Sequence, residues 1–173
     1  MKTTIVLAMH GAPPNDFPKG DLGEFFSLHN RLTQGCGQVS EAAQSRYNEL
    51  EARVRRWPRT PQNDPYYAAA FDLAAHLRQA TDLGVVVGFN EFCSPTLDEA
   101  LDRAALEGSD KIVVVTPMMT RGGGHSEKDI PKALQRARER HPGVEFIYAW
   151  PFEVSDIARF LSAQIRIFLE KYH

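Results

Sequence analysis

The sequence predicts an α/β protein: a four-stranded parallel sheet flanked by helices on both faces. Four short apolar runs, "TTIVLAM", "GVVVGF", "KIVVVTP" and "VEFIYAW", have the length of strands, and unbroken apolar strands are the kind buried on both faces. Between them lie segments whose apolar residues recur at helical spacing. Strands that alternate with helices pair in parallel through right-handed crossovers, which lay the helices against the sheet.

The first strand covers residues 3–9. Residues 11–37, "GAPPNDFPKGDLGEFFSLHNRLTQGCG", are rich in Gly and Pro and too long for an ordinary connection. We read them as an insertion within a single domain spanning residues 1–173. The insertion is either a surface loop with a short helix near "DLGEFFSLHNRL" or a lid beside the strand ends. Residues 39–57 set Val39, Ala43, Tyr47, Leu50, Val54 and Trp57 on one helical face, and Pro58 ends that helix. A second helix over 66–80 turns Phe71, Ala74 and Leu77 inward. The second strand is 84–89. Ser94 is the expected cap of the next helix, with Pro95 at its first position, Asp98 and Glu99 in its first turn and Gly108 at its stop. The third strand is 111–117. Ser126 and Asp129 read as a capping box for a helix that ends before Pro142. The fourth strand is 144–150. The last helix carries Val154, Ile157, Leu161, Ile165, Phe168 and Leu169 on one face.

Composition excludes several classes. With 173 residues and a formal net charge of −2, the chain has room for one core and no global drive toward nucleic acid or an anionic membrane, so neither is expected as a partner. Two cysteines, Cys36 and Cys93, are a poor disulfide framework and suit a reducing cytoplasm. The N-terminal apolar run lacks signal-peptide length, and no run approaches a transmembrane span, so a cytoplasmic location is expected.

Reactive residues then fall where a parallel sheet binds ligands, outside the carboxyl ends of its strands. His10 directly follows the first strand and Glu91 the second. His125 ends the loop "TRGGGHS" after the third. Three strand ends thus offer imidazole, carboxylate and imidazole to one edge. Each has a plainer reading alone: a His that satisfies backbone groups, a solvated Glu, an ordinary loop His. Convergence is what favours a shared site. His29 in the insertion is a further candidate ligand, whereas His76, His141 and His173 read as structural or solvated. Cys93 reads as a small buried hydrophobe.

Neutral imidazole suits borderline divalent metals such as iron, cobalt, nickel and zinc, and a site with fewer than four protein ligands leaves coordination positions open. An imidazole also accepts protons near neutral pH. Transfer of a metal needs both properties. Gly122, Gly123 and Gly124 let backbone approach a flat ligand without intervening side chains. Ser126, at a helix start, adds amides with positive potential, and Arg121 and Lys128, which flank the glycine loop, are either solvated charge or cations of the site. Trp150 and Phe152, after the fourth strand, either cover a ring face or pack at the sheet edge. A glycine loop feeding a capped helix also suits a phosphate, but "RGGGHS" is not a Walker motif, and His10 follows Met9 rather than the Arg of histidine phosphatases. A metal-binding module without catalysis is the other alternative.

The pieces "GFNEFCSPTLDEAL", "IVVVTPMM", "GGGHSEKDIP" and "IVLAMHG" together resemble the sirohydrochlorin cobaltochelatases and ferrochelatases, the class II tetrapyrrole chelatases. The resemblance implies a lyase that inserts Co²⁺, Fe²⁺ or Ni²⁺, as a substrate, into a tetrapyrrole such as sirohydrochlorin while two pyrrole nitrogens lose protons. It implies His10 and His125 as metal-binding and catalytic histidines, Glu91 as the strand-end acid, and no organic cofactor. With such a carboxylate-rich ring as substrate, Arg121, Gly122, Gly123, Gly124 and Ser126 are expected at its binding site, and a non-catalytic metal-binding or tetrapyrrole-binding module is the alternative. Small members of that family carry one such unit and pair as homodimers, so a homodimer is implied. Where the family continues from His-Gly with Ser and Arg, this chain has Ala12-Pro13-Pro14.

Overall fold

A computed structural model describes residues 1–33 and 40–172. Cys36, Val39 and His173, together with the end of the insertion, lie outside the described residues. Strands β1 (Thr3–Met9), β2 (Gly84–Phe89), β3 (Lys111–Val115) and β4 (Glu145–Tyr148) form one parallel sheet. Its spatial order is β2-β1-β3-β4. The helices are α1 (Lys19–Thr33), α2 (Glu41–Arg55), α3 (Pro65–Thr81), α4 (Leu97–Leu106), α5 (Ile130–Arg140) and α6 (Val154–Lys171).

Strand alternation divides the core in two. On one face Val6, Ala8, Ile112, Val114 and Phe146 pack against Leu97 and Leu101 of α4 and Ile130 and Leu134 of α5. On the other, Ile5, Leu7, Met9, Val85, Val87 and Phe89 pack against Ala70 and Ala74 of α3. Each large aliphatic side chain so buried contributes about 1.5–3 kcal/mol relative to exposure. These two layers fix the parallel strands so that their carboxyl ends share one edge of the sheet, and the candidate site is built on that edge.

Local sequence explains most boundaries, with corrections. The helix expected over 39–57 runs from Glu41 under a Ser40 cap to Arg55, and Trp57 lies past its end, donating its indole N–H to Asp16. The helix expected from 66 begins one residue earlier, because Asp64 caps it and Pro65, with no N–H to lose, fits its first turn. Phe71 was expected inward and is instead 41% exposed at the rim, its ring near Tyr67 and Phe89. The cap of α4 is Thr96, not Ser94: the Thr96 hydroxyl accepts from Glu99 N–H while the Glu99 carboxylate accepts from Thr96 N–H. That reciprocal pair satisfies two orphan donors, which a cap at Ser94 does not offer. No Ser126–Asp129 capping box forms. His125–Asp129 is a π-helical turn running straight into α5, so Asp129 faces back to His125 rather than to the Ser126 amide.

The insertion holds α1, longer than the short helix expected, packed on α2 through Phe25, Leu28 and Leu50. Arg46 ties the pair together, reaching Asp21 and Glu24. The largest departure is α6. The sequence gathers its apolar residues on one face, yet none of them is buried.

Candidate metal centre

Gly11 makes the first approach possible. Its φ is +104°, and a Cβ there would lie 1.9 Å from the Glu91 carbonyl oxygen. Only glycine takes that backbone and leaves that gap. The end of β1 and the loop after β2 therefore close on each other, with Glu91 N–H donating to the His10 carbonyl at 2.9 Å and Asn90 N–H to that of Met9 at 2.9 Å. On the third strand end, Gly122 has φ +89°, and its N–H donates to the Glu127 carboxylate at 2.8 Å. This turns the glycine loop back so that the π-turn presents His125 toward β1. The hydroxyl of buried Ser126 donates to the Gly123 carbonyl, and the Ser126 carbonyl accepts from the Tyr148 hydroxyl at 2.9 Å. Burial pushes the Tyr148 phenol up to about 12, so it remains a donor across the neutral range.

These contacts bring His10, Glu91 and His125 together. One ligand atom from each lies within 4.8 Å of the other two, and all three residues are half-buried. The His10 and His125 rings meet edge to face with centroids 4.4 Å apart, and His125 Nε2 is 3.8 Å from Glu91 Oε1. Two ligands of one ion at about 2.0–2.2 Å sit at most about 4.4 Å apart, so sub-ångström side-chain movement closes the site on a cation.

Each imidazole is oriented. His10 Nδ1 is 2.7 Å from the Gly11 carbonyl oxygen, and His125 Nδ1 is 2.8 Å from Asp129 Oδ2. Both partners are acceptors, so Nδ1 carries the proton and each Nε2 keeps its lone pair for a metal. The sequence reading missed this role of Asp129. The available signal was its spacing of four from His125, which puts the two on one face of a helical turn. Removing such an orienting carboxylate typically costs 10–100-fold in metal affinity. Asp129→Ala is expected to weaken Co²⁺ binding by about that factor, and calorimetric titration of the metal alone checks it.

A cavity of about 540 Å³ opens beside the two histidines, lined by Pro117, Met118, Met119, Gly123, Gly124 and, from α6, Ile157 and Leu161 among others. Among the described residues, none from the insertion lines it. The α1–α2 pair instead packs on Phe92, next to Glu91, so it props the acidic strand end. Phe92 takes a left-handed backbone with φ +56°, and Arg59 holds its carbonyl at 2.6 Å. Arg59 also donates to the carbonyls of Ala12 and Val54 and pairs with buried Asp64. It thus pins both loops that carry His10 and Glu91, which no sequence motif signalled.

Other candidates lie elsewhere. His29 sits beside Phe25, with Nδ1 3.2 Å from the Tyr47 hydroxyl, and is not part of the three-residue cluster. His76 is exposed near Asp72, and His141 bonds Asp102 at 2.8 Å. Cys93 is buried, its thiol pushed up by that burial, which suits packing rather than attack. Arg121 and Lys128 are exposed on either side of the loop. Trp150 stacks on Tyr148 and touches Phe152 edge on, and Phe152 packs beside Met119, Ile157 and Phe160 of α6 rather than against the histidines. Among the described residues, no helix is long and apolar enough to cross a membrane.

Comparison with known proteins points the same way. The CbiX family model matches residues 62–165. A sirohydrochlorin cobaltochelatase of Sulfurisphaera tokodaii is 37% identical over 97 residues, covering 56% of this chain and 76% of that protein. One from Methanopyrus kandleri is 46% identical over 63 residues, 36% of this chain and 43% of that protein. A sirohydrochlorin ferrochelatase of Priestia megaterium is 34% identical over 70 residues, 40% of this chain and 26% of that protein. The chain thus spans less than half the length of the last two relatives. The crystal structure of a CbiX protein from Marinobacter aquaeolei VT8 aligns over 98% of each chain with a TM-score of 0.57 at 17% identity, and shares the fold.

Proposed function

Because the chain belongs to the CbiX family, we propose that it is a chelatase, a lyase-class enzyme that inserts Co²⁺, Fe²⁺ or Ni²⁺ into a tetrapyrrole of the sirohydrochlorin type. The observation that carries this is the cluster of His10, Glu91 and His125 at the wall of an open cavity, with both Nε2 atoms left as metal donors. Three protein ligands leave coordination positions free, as a site that must pass its metal on requires.

The chemistry balances on those residues. The incoming ion is held by His10 Nε2, His125 Nε2 and a Glu91 oxygen. As it passes to the ring nitrogens, two pyrrole N–H bonds break. The donors released from the metal regain lone pairs at that moment, and they accept the two protons. Asp129 and the Gly11 carbonyl keep the imidazoles aimed throughout. Pro117, Met118 and Met119 give the ring an apolar wall, and the side-chain-free Gly123 and Gly124 let it approach the loop. Protein and tetrapyrrole meet in the cytoplasm, with the protein as a homodimer and no organic cofactor.

Anaerobic incubation with sirohydrochlorin and, separately, protoporphyrin, each with Co²⁺, Fe²⁺, Ni²⁺ or Zn²⁺, tests the reading through visible spectra. Metallated sirohydrochlorin formed faster than without protein is expected. Metal binding with no acceleration in any pairing would make the chain a metal-binding module instead.

Sirohydrochlorin is rich in carboxylates, and Arg121 beside the loop is the cation proposed to hold one by paired hydrogen bonds, a geometry Lys lacks. Arg121→Lys is expected to raise KM for the tetrapyrrole several-fold and leave metal affinity alone; steady-state kinetics over a range of ring concentrations reads both.

A further inference from the structure

The sheet ends on β2, and an edge strand turns every other residue's N–H and C=O away from its neighbour. Asn90 N–H points inward to the Met9 carbonyl, so Val85, Val87 and Phe89 are the residues that face outward. Two of their outward groups are taken. The Val85 carbonyl accepts from the Arg78 guanidinium at 3.2 Å, and Phe89 N–H donates to the Pro95 carbonyl at 2.9 Å. Among the described residues nothing pairs with Val85 N–H or with either group of Val87.

These open groups line a cavity of about 390 Å³ that straddles the sheet edge. Its wall on the α3 side is apolar, with Phe71, Ala74 and Ala75, and Phe71 is exposed there. From the other layer α4 contributes Arg103, and Arg78 stands at the amino end of the strand, so two guanidiniums and no carboxylate line the cavity. Arg103 Nε is engaged with Glu107 at 2.8 Å, and its two terminal nitrogens have no partner among the described residues. Charged side chains ordinarily blunt an edge strand. Here Arg78 covers one carbonyl and Pro95 closes the far end, and the stretch at Val87 between them stays open.

We propose that this edge is a docking site for an extended acidic segment of a partner protein, which adds to the sheet as a further strand beside β2. The backbone of that segment pairs with Val85 and Val87. Its side chains alternate in direction: apolar ones pack on Phe71 and Ala75, and acidic ones between them meet Arg103. Strand addition draws affinity from main-chain hydrogen bonds and specificity from pockets for alternate side chains, and this edge offers both. The charge of the cavity selects the occupant. A second copy does not suit it, because pairing β2 with β2 sets the arginines of both chains along one seam, where like charges repel. The cavity shares no residue with the cluster of His10, Glu91 and His125, so the proposal is independent of the metal chemistry.

Fluorescence anisotropy on the full chain tests it, with a labelled, capped peptide of alternating valine and glutamate as the probe. Saturable binding is expected, and Arg103→Ala, a change at an exposed side chain, is expected to weaken it about tenfold through loss of a charge-assisted contact. A peptide with lysine in place of glutamate is expected not to bind. Backbone methylation reads the pairing itself. Only every other N–H of an added strand faces β2, so N-methylation of the valines or of the glutamates abolishes binding, and methylation of the other set does not. No binding at millimolar peptide, equal binding of the lysine peptide, an Arg103→Ala chain that binds as well as its parent, or equal tolerance of both methylated peptides overturns the proposal. A peptide that halves the mass of the protein in light scattering displaces a second copy, which gives the edge to self-association and overturns it as well.

Discussion

His125→Ala is expected to lower metal insertion by roughly 10²–10⁴-fold, the range over which a positioned acid–base side chain acts, with the fold intact. The side chain lies at a strand-end loop, half-buried, and its hydrogen bond goes to Asp129 in the same turn rather than into the core. On the proposed function its removal takes away a metal donor and a proton acceptor together, and leaves His10 and Glu91 to hold the ion as two ligands. Metal affinity should fall with activity, and thermal melting should barely move. His10→Ala is expected to behave in the same way, since its Nδ1 is spent on the neighbouring Gly11 carbonyl. Rates of metallated-tetrapyrrole appearance, measured beside metal titration, separate the two effects. If either variant inserted metal at the full rate, that histidine would be no part of the reaction.

Arg59→Ala should damage the protein by a different route. The guanidinium is 5% exposed and its partner Asp64 is 1% exposed. Taking one member from a buried ion pair typically costs about 3–5 kcal/mol, because the other charge is left without compensation. For a chain of this size that corresponds to a melting temperature lower by on the order of 10 °C. The same substitution frees the carbonyls of Ala12, Val54 and Phe92. Any protein that remains folded should therefore also bind metal less well, as the loops bearing His10 and Glu91 lose their common anchor. Asp64→Asn is the companion variant: it retains an oxygen for the Tyr67 N–H that caps α3 but leaves the buried Arg59 charge uncompensated, so it should destabilise by a similar amount. Calorimetric melting decides. An Arg59→Ala protein as stable as its parent would show that solvent reaches this pair and that the anchor is dispensable.

The fold class and the convergence of His10, Glu91 and His125 on one edge were legible because they depend on local pattern. The four apolar runs are strands wherever they lie in the sheet, and a residue that directly follows a parallel strand must appear at the ligand-binding edge. His10, Glu91 and His125 could therefore be collected from the sequence without knowing which strands are neighbours. The role of Asp129 was hidden because Ser126-x-x-Asp129 matches a capping pattern, and only the π-helical turn, which the helix start itself does not encode, aims Asp129 at His125. The cap at Thr96 was mistaken for Ser94 for a related reason: both are hydroxyl residues flanking Pro95, and the choice belongs to whichever can reach the Glu99 amide.

What the sequence by itself determined is the periodicity of each element, and with it the α/β class and the chemistry offered at the strand ends. Tertiary structure decided the order β2-β1-β3-β4, the prop that the α1–α2 pair gives the Glu91 loop, the Arg59 anchor and the position of α6. The physical reason is range. A helix or strand period is set by neighbours within a turn, whereas a buried ion pair or a helix face finds its partner across tens of residues. Amphipathicity says that α6 must bury one side, and nothing in its own residues says against which surface.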